Sequence, residues 1–454
     1  MLDSVFEKFV KDSPISVMAR ATAERGLNPE KIDAWFGMNA QEQYTKDLLF
    51  SSVFDLMSGV VTCSYPSVHA AYQHSQDVIG VSVTSVYNKL NGIEIGTSAG
   101  LVRYAAGELA PVITELGGTK APLLPGYRIK LLDGNCIEAS EHRIGELREL
   151  AAGALPGKSL VVYDPVLRIP IDVFPCEDGH AQERSLLGDV LATVEGNDVW
   201  VADRNFCTCA FITEIANSNA FFIIRQHAGL AYESLGEERQ IGLTETGKVF
   251  EEPIAVTDAS GKKHILRRIH VCLKTETRDG DKEIFIISNL PPEAANAKII
   301  AVIYRKRWKI ETAFQELEDW FNSEINTLGY PPAALFGFCV ALISYMILAV
   351  IKAALCAVHG VEKIEKEVSG FYIADEISGV YRGMMIAIQN EEWKVFRQYT
   401  QSEFTEFLLR LSENVKLSAF RKHPRGPKKK PEKRKSDPKT PHVSTAKLIA
   451  MRKR

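Results

Sequence analysis

The sequence predicts an α/β protein with a helical N-terminal region, a β-rich middle and a basic C-terminal tail. Three observations support this. Apolar residues recur at helical spacing through residues 1–120, β-rich runs separated by helices begin at Tyr127, and 14 Lys or Arg are concentrated in residues 421–454. Hydrophobic residues make up 46% of the 454 residues, which is enough to build a sizeable core in two or three domains.

The first 120 residues are predicted to be mostly helical, with amphipathic segments at Asp3–Val10 and Gln41–Ser58. Val81–Asn91 resembles the second half of a helix-turn-helix, in which Thr84 would cap a helix presenting polar side chains to a DNA groove. The alternative is a short amphipathic helix that only packs. Residues 1–115 contain 8 basic and 13 acidic residues, which argues against a broad phosphate-binding face.

From Tyr127 onward, strands and helices alternate in a defined order. The predicted elements, in chain order, are the strands Tyr127–Asp133, Lys158–Asp164 and Ile169–Phe174, the helix His180–Val194, the strand Asp198–Asp203, the helix Thr208–Asn217 and the strand Ala220–Arg225. Three strands, helix, strand, helix, strand is the element order of an RNase H-like fold. Such a fold would bring acidic residues at strand ends beside one another.

Residues 229–290 interrupt this pattern and are predicted to form a β-rich insertion that includes the strands Lys263–Leu273 and Glu283–Ser288. A helix should follow from about Glu293 to Phe321. Ala333–Ile351 has no charged residue in 19 and is long enough to cross a membrane, but we expect a buried helix because no second such segment exists. We expect no contact with a membrane.

These observations divide the chain into five parts. They are a helical N-terminal domain (1–120) with a possible role in DNA-end binding, a catalytic core (121–228 and 291–356), the β-rich insertion (229–290), a C-terminal helical region (357–420) and a disordered basic tail (421–454).

Two aspartates are the first candidates for chemistry. Asp133 and Asp203 each end a predicted strand, so neighbouring strands would hold their carboxylates close together. Like charges at that distance are stable only with a cation between them, and Mg²⁺ or Mn²⁺ prefers oxygen ligands. The alternative is that each aspartate opens a turn, as Asp133-Gly134-Asn135 suggests.

A third carboxylate lies in the helical segment Tyr304–Glu318. On one helix Tyr304, Arg307 and Glu311 would share a face that combines a phenol, a guanidinium and a carboxylate. The carboxylate could complete a metal site while the guanidinium forks onto a phosphate. The alternative is a surface salt-bridge face, although the local density of basic residues also suits a nucleic-acid backbone.

With these residues in place, the chain resembles the insertion-sequence DDE transposases of the IS-four type, which carry a Tyr-x2-Arg-x3-Glu-x6-Lys signature. The resemblance runs over roughly residues 125–350, through Leu131–Gly134, Ala202–Phe206 and Tyr304–Glu311. It implies that Asp133, Asp203 and Glu311 bind two Mg²⁺ or Mn²⁺ ions. It also implies that Tyr304 and Arg307 contact phosphate at the transposon end.

The chain departs from the signature at one position, because Glu318 stands where the family has Lys. A carboxylate there would repel a phosphate, so Lys309 or Arg204 could supply the cation instead, or the chain could be less active. Aromatic residues in this region stack a flipped base in relatives. Trp308 and Trp320 are the candidates, and neither is assigned.

The resemblance implies cut-and-paste transposition, in which the enzyme cleaves at terminal inverted repeats and joins the free 3′-hydroxyl to target DNA. A homodimer would bridge the two DNA ends. The alternative is a catalytically weakened copy that acts as a DNA-binding repressor, which Glu318 favours. The basic tail, including Lys428, Lys429 and Lys430, is either a solvated terminus or a DNA contact that gains from counterion release.

Localisation in the cytoplasm of a bacterium, at the nucleoid, is expected, since Met1–Val10 carries charged residues and does not form a signal peptide. The eight cysteines include no CxxC pair, which argues against a zinc site or a disulfide framework.

Overall fold

Helices occupy both ends of the chain and strands occupy its middle. The computed structural model describes residues 4–43, 45, 47–119, 121–138, 140–141, 144–148, 150, 152–277, 280–423 and 442–452. Seven helices precede the first strand: α1 (Ser4–Asp12), α2 (Pro14–Gly26), α3 (Pro29–Asn39), α4 (Phe50–Val61), α5 (Val68–Ile79), α6 (Val83–Asn91) and α7 (Ile95–Leu116). The N-terminal region is therefore helical, as predicted.

Two details of this region differ from the prediction. The segment Gln41–Ser58 becomes helical only at Phe50, because the Glu94 carboxylate accepts hydrogen bonds from the backbone N–H groups of residues 41–43 and holds that stretch in a loop. Helix α6 is capped by Ser82, whose hydroxyl accepts from Ser85 N at 3.2 Å. Thr84 lies inside the helix, so its predicted capping role is wrong.

The central sheet begins with five strands close to those that the sequence predicts. They are β1 (Arg128–Cys136), β3 (Lys158–Asp164), β4 (Ile169–Cys176), β5 (Asp198–Ala202) and β6 (Phe221–Arg225), with helices α8 (Leu187–Leu191) and α9 (Cys209–Asn217) between the later ones. A short unpredicted strand, β2 (Ala154–Leu155), lies between β1 and β3 in the chain and outside this sheet. The order across the sheet is β4-β3-β1-β5-β6. Strand β1 is antiparallel to β3 and parallel to β5, and β6 is parallel to β5, so the sheet is mixed.

The predicted helix His180–Val194 is mostly absent. A hydrogen bond from His180 N to the Asp178 carboxylate forms a turn at its expected start. A short 3₁₀ turn at Glu183–Leu186 then leads into α8, which spans only five residues.

The β-rich insertion extends the same sheet. Its strands are β7 (Glu233–Ser234), β8 (Arg239–Leu243), β9 (Gly247–Thr257), β10 (Lys263–Leu273) and β11 (Glu283–Ser288). Strand β11 pairs antiparallel with β6, and the order continues as β11-β10-β9-β7, with β8 also on β9. The insertion and the first five strands of the sheet therefore share one hydrogen-bonded surface.

Helices dominate the rest of the chain: α10 (Ala297–Arg305), α11 (Trp308–Trp320), α12 (Pro331–His359), α13 (Val361–Glu367), α14 (Gly370–Ala387), α15 (Asn390–Trp393), α16 (Gln401–Glu413) and α17 (Thr445–Arg452). A two-residue strand, β12 (Val443–Ser444), pairs with β2. The predicted disorder of the basic tail is therefore wrong for residues 443–452, because this pairing and helix α17 hold them against the fold. Within the described residues, α12 is the helix long and apolar enough to cross a membrane, but 94% of its most apolar stretch is buried inside the fold. It contacts α2, α4, α7 and α16, as a core helix does.

The predicted continuous helix from Glu293 to Phe321 is wrong at two points. Asn296 caps α10 by accepting from Ile299 N, so the helix begins at Ala297. The backbone N–H groups of four residues bond to carbonyls three residues earlier, which ends α10 and separates it from α11; they are those of Lys306, Arg307, Lys309 and Ile310.

Candidate functional site

Asp133 and Asp203 lie side by side on adjacent parallel strands. The register pairs Leu132 of β1 with Ala202 of β5, and the two aspartates are the next residues on these strands. Neighbouring strands lie about 4.8 Å apart. Strand β5 ends there, whereas β1 continues to Cys136 by pairing with β3, where Asp133 is opposite Val161. The prediction that Asp133 ends its strand is therefore wrong, because β1 continues to Cys136; Asp133 instead lies where β1 loses its partner β5.

Backbone N–H groups orient both carboxylates. Gly134 N donates to Asp133 Oδ1 at 3.0 Å. Arg204 N donates to Asp203 Oδ1 at 2.5 Å, which makes Asp203 the cap of a short 3₁₀ turn, Arg204–Phe206. The two acidic groups are thus fixed by their own local backbone.

Arg307 joins Asp133 to the third predicted carboxylate. Its Nη1 donates to Asp133 Oδ2 at 2.7 Å, and its Nη2 lies 2.6 Å from Glu311 Oε1. The Arg307 side chain is only 7% exposed. Burial lowers the pKa of Arg307, but the surrounding carboxylates outweigh it and hold the pKa above its ordinary value. A single guanidinium therefore supplies positive charge to carboxylates from β1 and α11.

The site has a surplus of negative charge. Burial is the main cause that raises the pKa of Asp133 to about 7, and Glu311 and Asp203 raise it further, while Arg307 and the Gly134 N–H oppose them. Three carboxylates, from Asp133, Asp203 and Glu311, thus lie around one buried guanidinium, and a further cation would favour their charged forms. Carboxylate oxygens are the ligands that Mg²⁺ and Mn²⁺ prefer, so Asp133, Asp203 and Glu311 fit a divalent ion.

Tyr304 completes the group on the α10 side of the helix break. It is 6% exposed, and burial raises the pKa of its phenol to about 12, with the Arg307 guanidinium acting in the opposite direction through charge and a hydrogen bond. The phenol therefore stays protonated at neutral pH. Tyr304 and Glu311 lie on two helices instead of one, yet both are beside Arg307.

The other predicted DNA contacts are placed differently. Arg204 is exposed next to Asp203. Lys309 Nζ lies 3.4 Å from the carbonyl oxygen of Pro165, and Lys309 lines a cavity of about 220 Å³ together with Arg168 and Glu316. It is thus directed toward the loop between β3 and β4. Lys428, Lys429 and Lys430 fall outside the described residues.

The two tryptophans have distinct environments. Trp308 is 53% exposed, and the Arg307 guanidinium carbon is 5.7 Å from its ring centroid. Trp320 stacks on Tyr345 with ring centroids 5.9 Å apart, and Lys352 Nζ is 4.1 Å from the Trp320 ring. The Trp320 ring therefore packs against Tyr345 and Lys352, whereas the Trp308 ring is half-exposed beside the site.

Sequence reasoning missed two acidic residues around the site. The Glu183 carboxylate accepts from the Asn205 amide and lies so close to Gly134 that a Cβ on Gly134 would overlap it. Burial raises the pKa of Glu324 to about 7, and Glu318 is among the like charges that add to this. Gly134 directly after Asp133 was the available signal, because a Cβ there would have to displace the end of the Glu183 side chain.

Comparison with known proteins agrees with this geometry. Residues 125–347 match the family model described as the transposase DDE domain. The chain is also similar to a protein of Sinorhizobium fredii named as the putative transposase y4zB, with 25% identity over 199 residues. That match covers 42% of this chain and 52% of the relative, so the chain spans about half the length of the curated protein it matches.

Proposed function

Because residues 125–347 carry a transposase DDE domain, we propose that this protein cuts DNA at the ends of a mobile element and joins them to target DNA. The family implies phosphoryl transfer on DNA with divalent metal. The observation that carries the proposal is the contact of Asp133 and Glu311 with one guanidinium, beside Asp203 on the adjacent strand.

In this mechanism Asp133, Asp203 and Glu311 would hold two Mg²⁺ or Mn²⁺ ions, which when bound would supply charge stabilisation for phosphoryl transfer. Arg307 now neutralises two of the carboxylates that the ions need. We propose that it leaves them when DNA arrives and forks onto a phosphate, since a guanidinium matches two phosphate oxygens as it does two carboxylate oxygens.

Tyr304 acts as a hydrogen-bond donor to the same phosphate. Its raised pKa keeps the O–H intact, so the phenol adds no negative charge beside the DNA backbone. Arg204 is exposed at the edge of the site and would contact the backbone nearby. Lys309 would contact DNA only if the strand also reached the cavity beside Pro165.

We also propose an RNase H-like core and membership of the IS-four type. The strand order β4-β3-β1-β5-β6, with β3 antiparallel to its neighbours, supports an RNase H-like core. The signature residues Tyr304, Arg307 and Glu311 support the IS-four type. We further propose the five-part domain division given above, except that residues 443–452 of the basic tail are ordered as β12 and α17. We also propose a homodimer that pairs two terminal inverted repeats, and action at the nucleoid in a bacterial cytoplasm.

The experiment is an excision assay on a plasmid that carries the gene with its own flanking DNA. Asp133→Asn should abolish cleavage but retain binding to the flanking DNA, because metal ligation is lost and the fold is kept. The matched control is Asp189→Asn, the same chemical change at an exposed position on α8, which should cleave normally.

The second candidate function is a repressor that binds the element ends without cutting them. The exposed Glu318, where the family signature has Lys, is the observation that favours it. Metal-independent binding by the unmodified protein with no cleavage under any divalent ion would support the repressor and overturn the transposase.

A further inference from the structure

A second group of metal-ligand side chains lies in the β insertion, away from the carboxylates described above. His270 and Cys272 are two residues apart on β10, so both side chains project from one face of the sheet. Glu283 of β11 is the direct partner of Cys272 in the antiparallel register. Strand pairing alone therefore sets an imidazole, a thiol and a carboxylate on one small area.

The distances between these groups match those of a tetrahedral metal site. His270 Nε2 is 3.3 Å from Cys272 Sγ and 3.7 Å from Glu283 Oε1. The ligand atoms of the three residues all lie within 4.8 Å of one another. In a tetrahedral zinc site with ordinary bond lengths, two ligand atoms are about 3.4–3.6 Å apart. The three side chains thus need only small rotations to meet one ion.

The imidazole is already held in the form that a metal requires. His270 Nδ1 lies 3.0 Å from Glu238 Oε1, and an ionised carboxylate can only accept, so the proton of the neutral ring is on Nδ1. The lone pair is then on Nε2, which faces Cys272 and Glu283. A metal-bound histidine commonly has its other nitrogen bound to a carboxylate in this way.

Aromatic packing fixes the plane of the ring. Phe250 of β9 and Phe285 of β11 stack on His270, with ring centroids 5.5 and 4.5 Å away. The imidazole is 13% exposed, whereas Glu283 is 53% exposed and leaves the site open to an ion from solvent. The ring is therefore both oriented and accessible.

We propose that His270, Cys272 and Glu283 bind a zinc-class transition-metal ion, with water in the fourth position. Thiolate and imidazole favour such an ion over Mg²⁺, which prefers oxygen ligands. The Cys272 proton leaves when the metal–sulfur bond forms. The chain shows no zinc-type spacing because the third ligand comes from the neighbouring strand.

Titration of the full-length protein with Co²⁺ tests this proposal. One equivalent should produce the near-ultraviolet absorption of a thiolate–cobalt bond, and Zn²⁺ should displace it. Ions bound by the carboxylates of the first site cannot give this band. Cys272→Ser should abolish it, whereas Cys209→Ser, at another partly buried cysteine, should leave it unchanged.

Two further variants keep the result independent of folding defects. Glu283→Gln removes a ligand that is mostly exposed, and Glu238→Gln removes the carboxylate that orients His270. Each should retain native circular dichroism, and Glu238→Gln should weaken Co²⁺ binding by about 10–100-fold. Absence of the thiolate band in the unmodified protein, or its persistence in Cys272→Ser, overturns the site.

Discussion

Replacing Arg307 with Ala should destabilise the protein and make its stability depend on divalent metal. The change leaves Asp133 and Glu311 without the cation that contacts both at 2.7 and 2.6 Å. Removing one partner of a buried ion pair costs about 3–5 kcal/mol. Glu311 is 33% exposed, so we expect a loss near the lower end, about 3 kcal/mol in the free energy of unfolding.

Mg²⁺ should reverse most of that loss in the variant. Without the guanidinium, the ion meets no competitor for the two carboxylates, and an ion at 100 times its dissociation constant stabilises by about 2.7 kcal/mol. In the unmodified protein the ion must displace Arg307, so the same Mg²⁺ concentration should stabilise it less.

Urea unfolding with and without millimolar Mg²⁺ measures both effects. The matched control is Arg305→Ala, which removes a pair with Glu245 whose side chains are 44% and 82% exposed; it should change the stability far less, because exposed ion pairs contribute little. Equal stabilisation of variant and unmodified protein by Mg²⁺ would show that Arg307 does not compete with the ion. A loss no larger than that of Arg305→Ala would show that the bridge contributes little.

Three more predictions concern the lysines of the basic tail, Glu318 in place of the signature Lys, and the carboxyl group of Glu376. Substituting Gln for the lysines at 428–430 should weaken binding to all duplexes alike and reduce its salt dependence, measured by fluorescence anisotropy in a salt series; a loss confined to one sequence would refute this. Glu318→Lys should raise, or at least not lower, strand transfer on a pre-cleaved end relative to Asp319→Lys, because it replaces a carboxylate that would repel the DNA phosphate with a cation; a clear loss would mean that another cation already holds the phosphate and is disturbed by the substitution. Burial raises the pKa of Glu376 to about 7, so its stabilising effect is present at low pH and lost as pH rises through that value. From about pH 5 to pH 8 the unmodified protein should lose about 1–2 kcal/mol relative to Glu376→Gln in chemical unfolding, and Asp375→Asn, an exposed neighbour, should behave like the unmodified protein.

Elements with a strong local pattern could be predicted from the sequence. Strands β3, β10 and β11 have the predicted limits because alternating or apolar β-branched runs and nearby turns define them locally. The extension of β1 to Cys136 could not be predicted, since it depends on pairing with β3. The break between α10 and α11 lies beside Arg307, whose partner Asp133 is 174 residues away.

The identity of the site residues was easier to predict than their contacts. Carboxylates after apolar strands and a Tyr–Arg–Glu helix pattern led to Asp133, Asp203 and Glu311, and the structure brings these residues to one region. Tertiary packing brings Arg307 into contact with two of the carboxylates and turns Lys309 toward Pro165. The spacing of residues on one helix carries no information on either.

Helix α12 has a consequence for the order in which the chain can fold during synthesis. Helices α2, α4 and α7 pack against it, yet α7 ends at Leu116 and α12 ends at His359. At about 5–20 residues per second, a ribosome needs about 12–50 seconds to translate that interval. During this time the apolar faces of the N-terminal helices lack their partner, and chains that terminate within the insertion should keep them exposed and be degraded.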